Sequence, residues 1–340
     1  MASDIQWCAV SSHVWTTRVG PESVTIGLVM GSEHLLMVDS GSTPQQGHDL
    51  ALSAAMALGR PVDRLVITHH HDDHVGGLRG VARCAKESGV AVESWMHRTA
   101  VEHGPTPAID HPISLMAYLD LGGVTAEILH PGAAHTDGDL TVRVPEDHIT
   151  FMGDLIETSG PPQADSTTDF WDWAGAIDMV MNVTDAKDRY IPGHGDPTDD
   201  QGVMAQRNAI WGLVSAVREA MEHGRAPECA LDDIPAGLDR ATVTGWIAPI
   251  ADQLTARGIT RKGLLPLTNR RCGRVPTTSP PQRRSLRKHR RADHGPHLRA
   301  CAVRQGRPRQ FSSNAWAAIC QDRSSLAAMM TPRCSVCRAV

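Results

Sequence analysis

The stretch Leu65-Val66-Ile67-Thr68-His69-His70-His71-Asp72-Asp73-His74 decides how this chain is read. Leu65–Thr68 is a short apolar run of the kind that forms a buried strand. Directly behind it, His69, His71, Asp73 and His74 stand in the spacing H-x-H-x-D-H. Three imidazoles and a carboxylate delivered together at a strand end have the composition and spacing of a metal site. The bland alternative is a solvated, His-rich turn, in a chain with 18 His among 340 residues.

Three further positions share the strand-to-loop context. His135 stands in Pro131-Gly132-Ala133-Ala134-His135-Thr136-Asp137-Gly138-Asp139, before the run Leu140–Val144. Asp154 follows the run Ile149–Met152, and His194 follows Arg189–Ile191 in Pro192-Gly193-His194-Gly195. A neighbouring glycine lets backbone or an ion come close. A carboxylate can also bridge two metal ions, one to each oxygen. Singly, each residue reads as a solvated loop position; in this order they read as one constellation.

Around these positions the pattern is α/β. Val24–Met30 and Leu35–Val38 form a hairpin about Gly31-Ser32-Glu33. Helices are expected over Leu50–Leu58, from Gly76-Gly77 to about Lys86, over Trp173–Val183 and over Gly202–Met221. Further strands are expected at Val90–Met96 and Ala126–Leu129. Hairpins mixed with helices favour a mixed sheet flanked by helices over a purely parallel one. Met204, Ile210, Val214 and Met221 form a core stripe. Residues 226–265 read as further helices, a lid or a homodimer contact.

The net charge of −5 hides an asymmetry. Of 33 Lys and Arg, 16 lie in residues 266–340 beside two acids, Asp293 and Asp322; residues 1–265 keep 17 bases and 36 acids, a net −19. That acidic body argues against nucleic acid as its substrate. The Arg-rich tail reads as disordered, as a basic arm, or as non-native read-through. Its Cys334-Ser335-Val336-Cys337 is a lone C-x-x-C without a well-spaced second pair. Met1–Gly20 does not read as a signal peptide and no run is long enough to span a membrane, so a cytoplasmic enzyme with free thiols is expected.

Residues 10–225 resemble the metallo-β-lactamase-fold metallohydrolase superfamily, in its glyoxalase-II-like and lactonase-like branch. The resemblance is carried by Thr68–His74 with Val75-Gly76-Gly77, Ala134–Asp139, Phe151-Met152-Gly153-Asp154 and Ile191–Gly195. It implies a four-layer αββα sandwich over residues 1–265, with the site at one edge. It further implies two Zn²⁺ per chain. His69, His71 and His135 would hold the first, Asp73, His74 and His194 the second, and Asp154 would bridge them. Asp39, in Val38-Asp39-Ser40-Gly41, matches an aspartate that braces the metal loop. Hydroxide shared by the ions would attack the carbonyl of a small ester, lactone, thioester or amide, with Asp73 moving the proton. Zinc β-lactamases of the best-known type carry Cys where this chain has Asp154, which points away from a β-lactam as native substrate, although β-lactamase activity stays an alternative.

Other readings stay open. Imidazole and carboxylate suit iron as well as zinc, so a mononuclear iron oxygenase of persulfides is a second enzyme class. A closed structural zinc site in a non-enzyme would favour Cys ligands, which this set lacks. For substrate contacts, Trp171 and Trp173 either wall an acyl pocket or anchor their helix on the core. Tyr190 or Tyr118 is the candidate oxyanion donor. His70 and Asp72, alternating with the ligands, are expected to point away from the ions and to support the ligands or the local structure. His97, His103, His111 and His130 are either entrance or surface residues.

Overall fold

The computed structural model describes residues 5–103 and 109–263. Strands β1 (Cys8–Ala9), β2 (Val14–Val19), β3 (Val24–Met30) and β4 (Leu35–Val38) run as an antiparallel meander. The hairpin expected from sequence has the expected bounds. Helix α1 (Pro44–Leu58) starts earlier than its apolar run because Thr43 caps it. The Thr43 hydroxyl accepts the Gln46 N–H, and Pro44 sits where a missing N–H costs nothing.

Strand β5 (Arg64–Val66) is followed by the one-turn helix α2 (Asp72–Val75) and by α3 (Leu78–Glu87). It ends before Thr68, contrary to expectation, because Thr68 N–H turns from the ladder to the Asp39 carboxylate at 2.8 Å. Strand β6 (Glu93–His97), the short α4 (Arg98–Glu102) and β7 (His111–Ile113) complete this half, with β4, β5, β6 and β7 parallel. The second half is built of β8 (Met116–Asp120), β9 (Thr125–Leu129), β10 (Thr141–Val144), β11 (Ile149–Glu157), α5 (Phe170–Val183), β12 (Arg189–His194) and α6 (Asp200–Glu222). The antiparallel β8–β11 adjoin a parallel β11–β12 pair.

The strand order is β7-β6-β5-β4-β3-β12-β11-β10-β9-β8, and the halves meet at the single pair Val24–His194. Side chains alternate between faces, and the alternation sorts the core into three layers. Ile26, Leu28, Leu35, Met37 and Leu65 face α1 and α3. Val29, Leu36, Val38 and Val66 meet Val142, Phe151 and Ile191 of the other half. Met152, Leu155 and Ile156 face α5 and α6. Three apolar layers between helix, sheet, sheet and helix make the four-layer αββα sandwich.

A 3-10 turn at Pro227–Asp232, α7 (Arg240–Thr244) and α8 (Ile247–Ala256) carry Val243, Trp246, Ile250 and Leu254 into the α5–α6 core. The further helices expected here are present, and these residues finish the core. Of the expected α6 stripe, Ile210, Val214 and Met221 are core and Met204 is half-buried. Cys84 is a free thiol buried between α1 and α3. Among the described residues no helix is long and apolar enough to cross a membrane. The tail readings for residues 266–340 fall outside the described residues.

Candidate metal centre

The sheet halves bring their loop ends together at one edge, and the histidines and aspartates collect there. His69, His71, His135 and Asp154 form one group of potential donors; Asp73, His74 and His194 form a second. Asp154 lies between them. Its Oδ2 is 3.7 Å from His69 Nε2, 3.9 Å from His135 Nε2 and 3.4 Å from His194 Nε2, and its Oδ1 is 3.3 Å from His74 Nε2. His194 Nε2 is also 3.3 Å from Asp73 Oδ2.

Two glycines aim Asp154. Gly153 has φ +53 and sits at a register shift of β11, which turns the next side chain inward. A Cβ on Gly193 would stand 1.8 Å from Asp154 Oδ1, so only glycine leaves the carboxylate its place.

The hydrogen bonds set the ring tautomers. His69 donates Nδ1–H to Thr68 Oγ1 at 3.0 Å, His74 to Asp39 at 2.8 Å, His135 to Asp139 at 3.3 Å and His194 to the Glu22 carbonyl at 2.9 Å. All four thereby turn Nε2 into the cage. His71 is reversed: Nε2–H points at Asp165, 3.1 Å away, and Nδ1 lies 3.1 Å from His69 Nε2. A proton fixed on the outer nitrogen leaves a lone pair on the inner one, as a ligating histidine requires.

Asp39 is the keystone of this bracing. It has φ +63, a left-handed conformation that costs a non-glycine residue energy but that Asp tolerates better than most. Its carboxylate accepts the Thr68 amide, the Thr68 hydroxyl and His74 Nδ1–H. Asp139 likewise accepts the amide and hydroxyl of Thr136 while holding His135.

The charges are strongly coupled. Burial works against the charged form of His194, yet bonds to Asp154 and Asp73 push its pKa up to about 10. Burial also opposes a charged His74, but Asp154 and Asp39 carry it well above the ordinary histidine range. Burial and the neighbouring His74 hold His69 well below that range. Asp154 would be raised by burial, but His74 and His69 hold it well below the carboxylate range.

The donor set fits a metal by its chemistry and by what it leaves unpaired. His135 Nε2 and Asp154 Oδ1 are buried without hydrogen-bond partners. Such atoms are costly in an interior unless something binds them, and a cation is what an inward lone pair and a carboxylate oxygen both accept.

The proposed substrate contacts fare differently. Trp173 is fully buried behind His135, its ring centroid 5.7 Å from the imidazole and its Nε1–H donated to the Leu155 carbonyl at 3.1 Å. Trp171 packs on Trp211 and under Arg257. Both anchor α5, which corrects the acyl-pocket reading. Tyr190 is fully buried and its hydroxyl pairs with Thr184 at 2.8 Å, so the oxyanion-donor reading is corrected as well. Tyr118 is exposed on β8, with its hydroxyl donating to Met116 Sδ at 3.7 Å. Asp72 is exposed as expected. His70 turns toward Asp165, the carboxylate that also holds His71, in keeping with the supporting role expected of it, and stacks on His103, which pairs with Asp137. His97 is buried and stacks on His130, and His111 is exposed beside Trp95.

Sequence reading missed Asp139 and Asp165 as braces. Asp139 carried a signal, standing four residues after His135. Asp165 carried none, because its partner is 94 residues away.

A family model described as the metallo-beta-lactamase superfamily matches residues 19–194. The metallo-beta-lactamase type 2 of Bacillus cereus is 25% identical over 186 residues, covering 52% of this chain and 69% of that protein. The hydroxyacylglutathione hydrolase of Rhodobacter capsulatus is 32% identical over 98 residues, 28% of this chain and 34% of that one. Among solved structures, a metallo-beta-lactamase from Pontibacter korlensis superposes with a TM-score of 0.55 at 20% identity, over 61% of this chain and 99% of its own, and so shares the fold. With the sandwich, the His/Asp cage at its edge and these matches in hand, the chain belongs to the metallo-beta-lactamase superfamily and is a metal-dependent hydrolase.

Proposed function

We propose that this chain is a dinuclear zinc hydrolase of small esters, lactones, thioesters or amides. The observation that carries the reading is Asp154, whose two oxygens stand between two separate donor groups. His69, His71 and His135 would hold one ion, Asp73, His74 and His194 the other, with Asp154 shared. Zinc bound there supplies Lewis acidity, polarising a carbonyl oxygen and bringing the pKa of water to about 7.

The remaining work falls to the chain. Outer hydrogen bonds hold each imidazole in the tautomer that presents a lone pair inward. Asp73 reaches 3.3 Å from His194 Nε2 while its side chain keeps 23% exposure. Burial alone would raise its pKa, but His194 and His74 hold it lowered, so at neutral pH it is a carboxylate. An anion that borders both cage and solvent can take a proton from the attacking water and release it to the leaving group or to bulk.

The test is elemental analysis of purified protein beside Asp154→Ala. About two zinc ions per chain, falling in the variant, support the reading. A single iron would move it to oxidation of a sulfur substrate, and no tightly bound metal in folded protein would sink the cage assignment.

A further inference from the structure

Helix α8 lies beyond residues 19–194, the span matched by the family model, yet it grips the chain beside the cage. The side chain of Gln253 makes two hydrogen bonds there. Its Oε1 accepts the Phe170 N–H at 3.0 Å, and its Nε2 donates to the Thr168 carbonyl at 2.6 Å. One partner is a donor and the other an acceptor, so a single orientation of the amide satisfies both. One turn further, Arg257 donates to the Asp169 carboxylate at 2.7 Å. Three consecutive residues, Thr168 to Phe170, are thus held from the end of α8. The helix is itself seated by Ile250 and Leu254 in the core and by Trp246, whose ring centroid is 5.1 Å from that of Phe170.

The segment that α8 grips is joined to two of the cage histidines. Thr168 is buried, and its hydroxyl works in both directions: it donates to the His135 carbonyl at 2.7 Å and accepts the Asp165 N–H at 2.9 Å. The Asp169 N–H adds a bond to the Ala134 carbonyl at 2.8 Å. Asp165 is pinned by its own loop, its Oδ1 accepting both the amide and the hydroxyl of Thr167 at 2.7 Å. That leaves Oδ2 for His71 Nε2–H at 3.1 Å. A carboxylate fixed by its loop holds an imidazole only as firmly as the loop is held. If Thr168 shifts, the backbone of His135 and the brace on His71 shift with it. Both histidines belong to the same donor group, so the hold is the same whether the cage takes one ion or two.

We infer that Gln253 is a positioning residue of the metal centre: acting through Thr168, it fixes the backbone of His135 and keeps Asp165 on His71, so that Nδ1 of His71 stays free to bind. A side chain that merely filled the contact between α5 and α8 would act on fold stability alone.

Gln253→Glu in the full chain tests this. It keeps the size and the bond from Phe170 but, as a carboxylate at about pH 8, sets an acceptor against the Thr168 carbonyl. Zinc affinity is read by competition with a chelator. The tautomer of His71 is read in metal-free protein by nitrogen NMR of isotope-labelled histidine. The expected result is a folded variant with about tenfold lower zinc affinity and a His71 proton shared between Nε2 and Nδ1 instead of held on Nε2. Thr168→Val cuts the same relay and should lose a similar amount. Adding Gln253→Glu to it should cost less than about threefold more, because residues acting in series are not additive. Thr168→Ser keeps the hydroxyl and should behave as the parent. Should a charge at this position prevent folding, Gln253→Met, neutral and of similar length, loses both bonds and reads the same way. Parental affinity with a parental His71 tautomer in the folded Gln253 variant overturns the inference, and so do fully additive losses in the double variant. A parent that takes up no zinc would sink the zinc reading above, and the His71 tautomer in metal-free protein would still decide the role of Gln253.

Discussion

Replacing Asp39 by Asn tests the bracing of the cage with little change of shape. Asn tolerates the left-handed conformation that φ +63 demands, so the backbone cost is small. Three donors converge on the native carboxylate: the Thr68 amide at 2.8 Å, the Thr68 hydroxyl at 2.9 Å and His74 Nδ1–H at 2.8 Å. An amide offers one accepting oxygen, so in either flip its NH₂ meets a donor. If the NH₂ faces His74, there are two outcomes. The ring can keep its proton on Nδ1 and leave a buried donor unpaired, at a cost of about 1–3 kcal/mol. Or it can move the proton to Nε2, which relieves Nδ1 and removes the lone pair that faces the cage. In the second case stability is nearly spared and metal binding is not. The expected result is a metal-free protein less stable by about 2 kcal/mol, with affinity for the ion at Asp73, His74 and His194 reduced about 10- to 100-fold. Asp39→Ala should lose about 1 kcal/mol more, for the left-handed backbone. Denaturant unfolding measures the first quantity and competition with a chelator the second. An Asp39→Asn protein that takes up both ions with unchanged affinity would refute the tautomer argument.

Other outcomes follow from the same geometry. Gly193→Ala would put a methyl group onto Asp154 Oδ1, so the variant should fold yet bind less metal than the parent by elemental analysis. Trp173→Phe removes the bond to Leu155 and leaves a cavity behind His135, for a loss of about 2–4 kcal/mol with substrate preference unchanged; altered preference at full stability would restore the acyl-wall reading. Because His74 and His194 are pushed above the histidine range in the metal-free cage, metal uptake should release protons and apparent affinity should rise with pH, as a pH-indicator titration in weak buffer would show. Burial would raise Asp147, but Ser11 and His13 hold it below the ordinary range. A depressed carboxyl stabilises the fold above its unfolded pKa of about 4 and loses that contribution as pH falls through the folded value. Ser11→Ala should therefore make the acid-unfolding curve shallower.

Much of the centre was legible because its ligands come with local signals. The H-x-H-x-D-H spacing is contained in six residues, Asp154 and His194 each directly follow a glycine, and His135 lies in a loop with glycines at 132 and 138. The hairpin β3–β4 was legible for a similar reason: two β-rich runs and a turn are a short-range pattern. Reading failed where partners are distant. Tyr190 and Trp173 looked like substrate contacts because a polar aromatic near a motif has no marked orientation in sequence. Strand β11 was read as ending at Met152, yet it runs through Asp154 to Glu157, because a glycine bulge looks like a terminus when the paired strand β12 is out of view.

From residue order alone came the kinds of donor atoms, the acidic body and an α/β architecture, since composition, spacing and hydrophobic period are properties of the chain itself. Which nitrogen of each imidazole faces inward was decided only in three dimensions, by Asp39, Asp139, Asp165 and the Glu22 carbonyl. The physical reason is that pairing depends on which loops the sandwich gathers at its edge, and those loops are far apart in sequence.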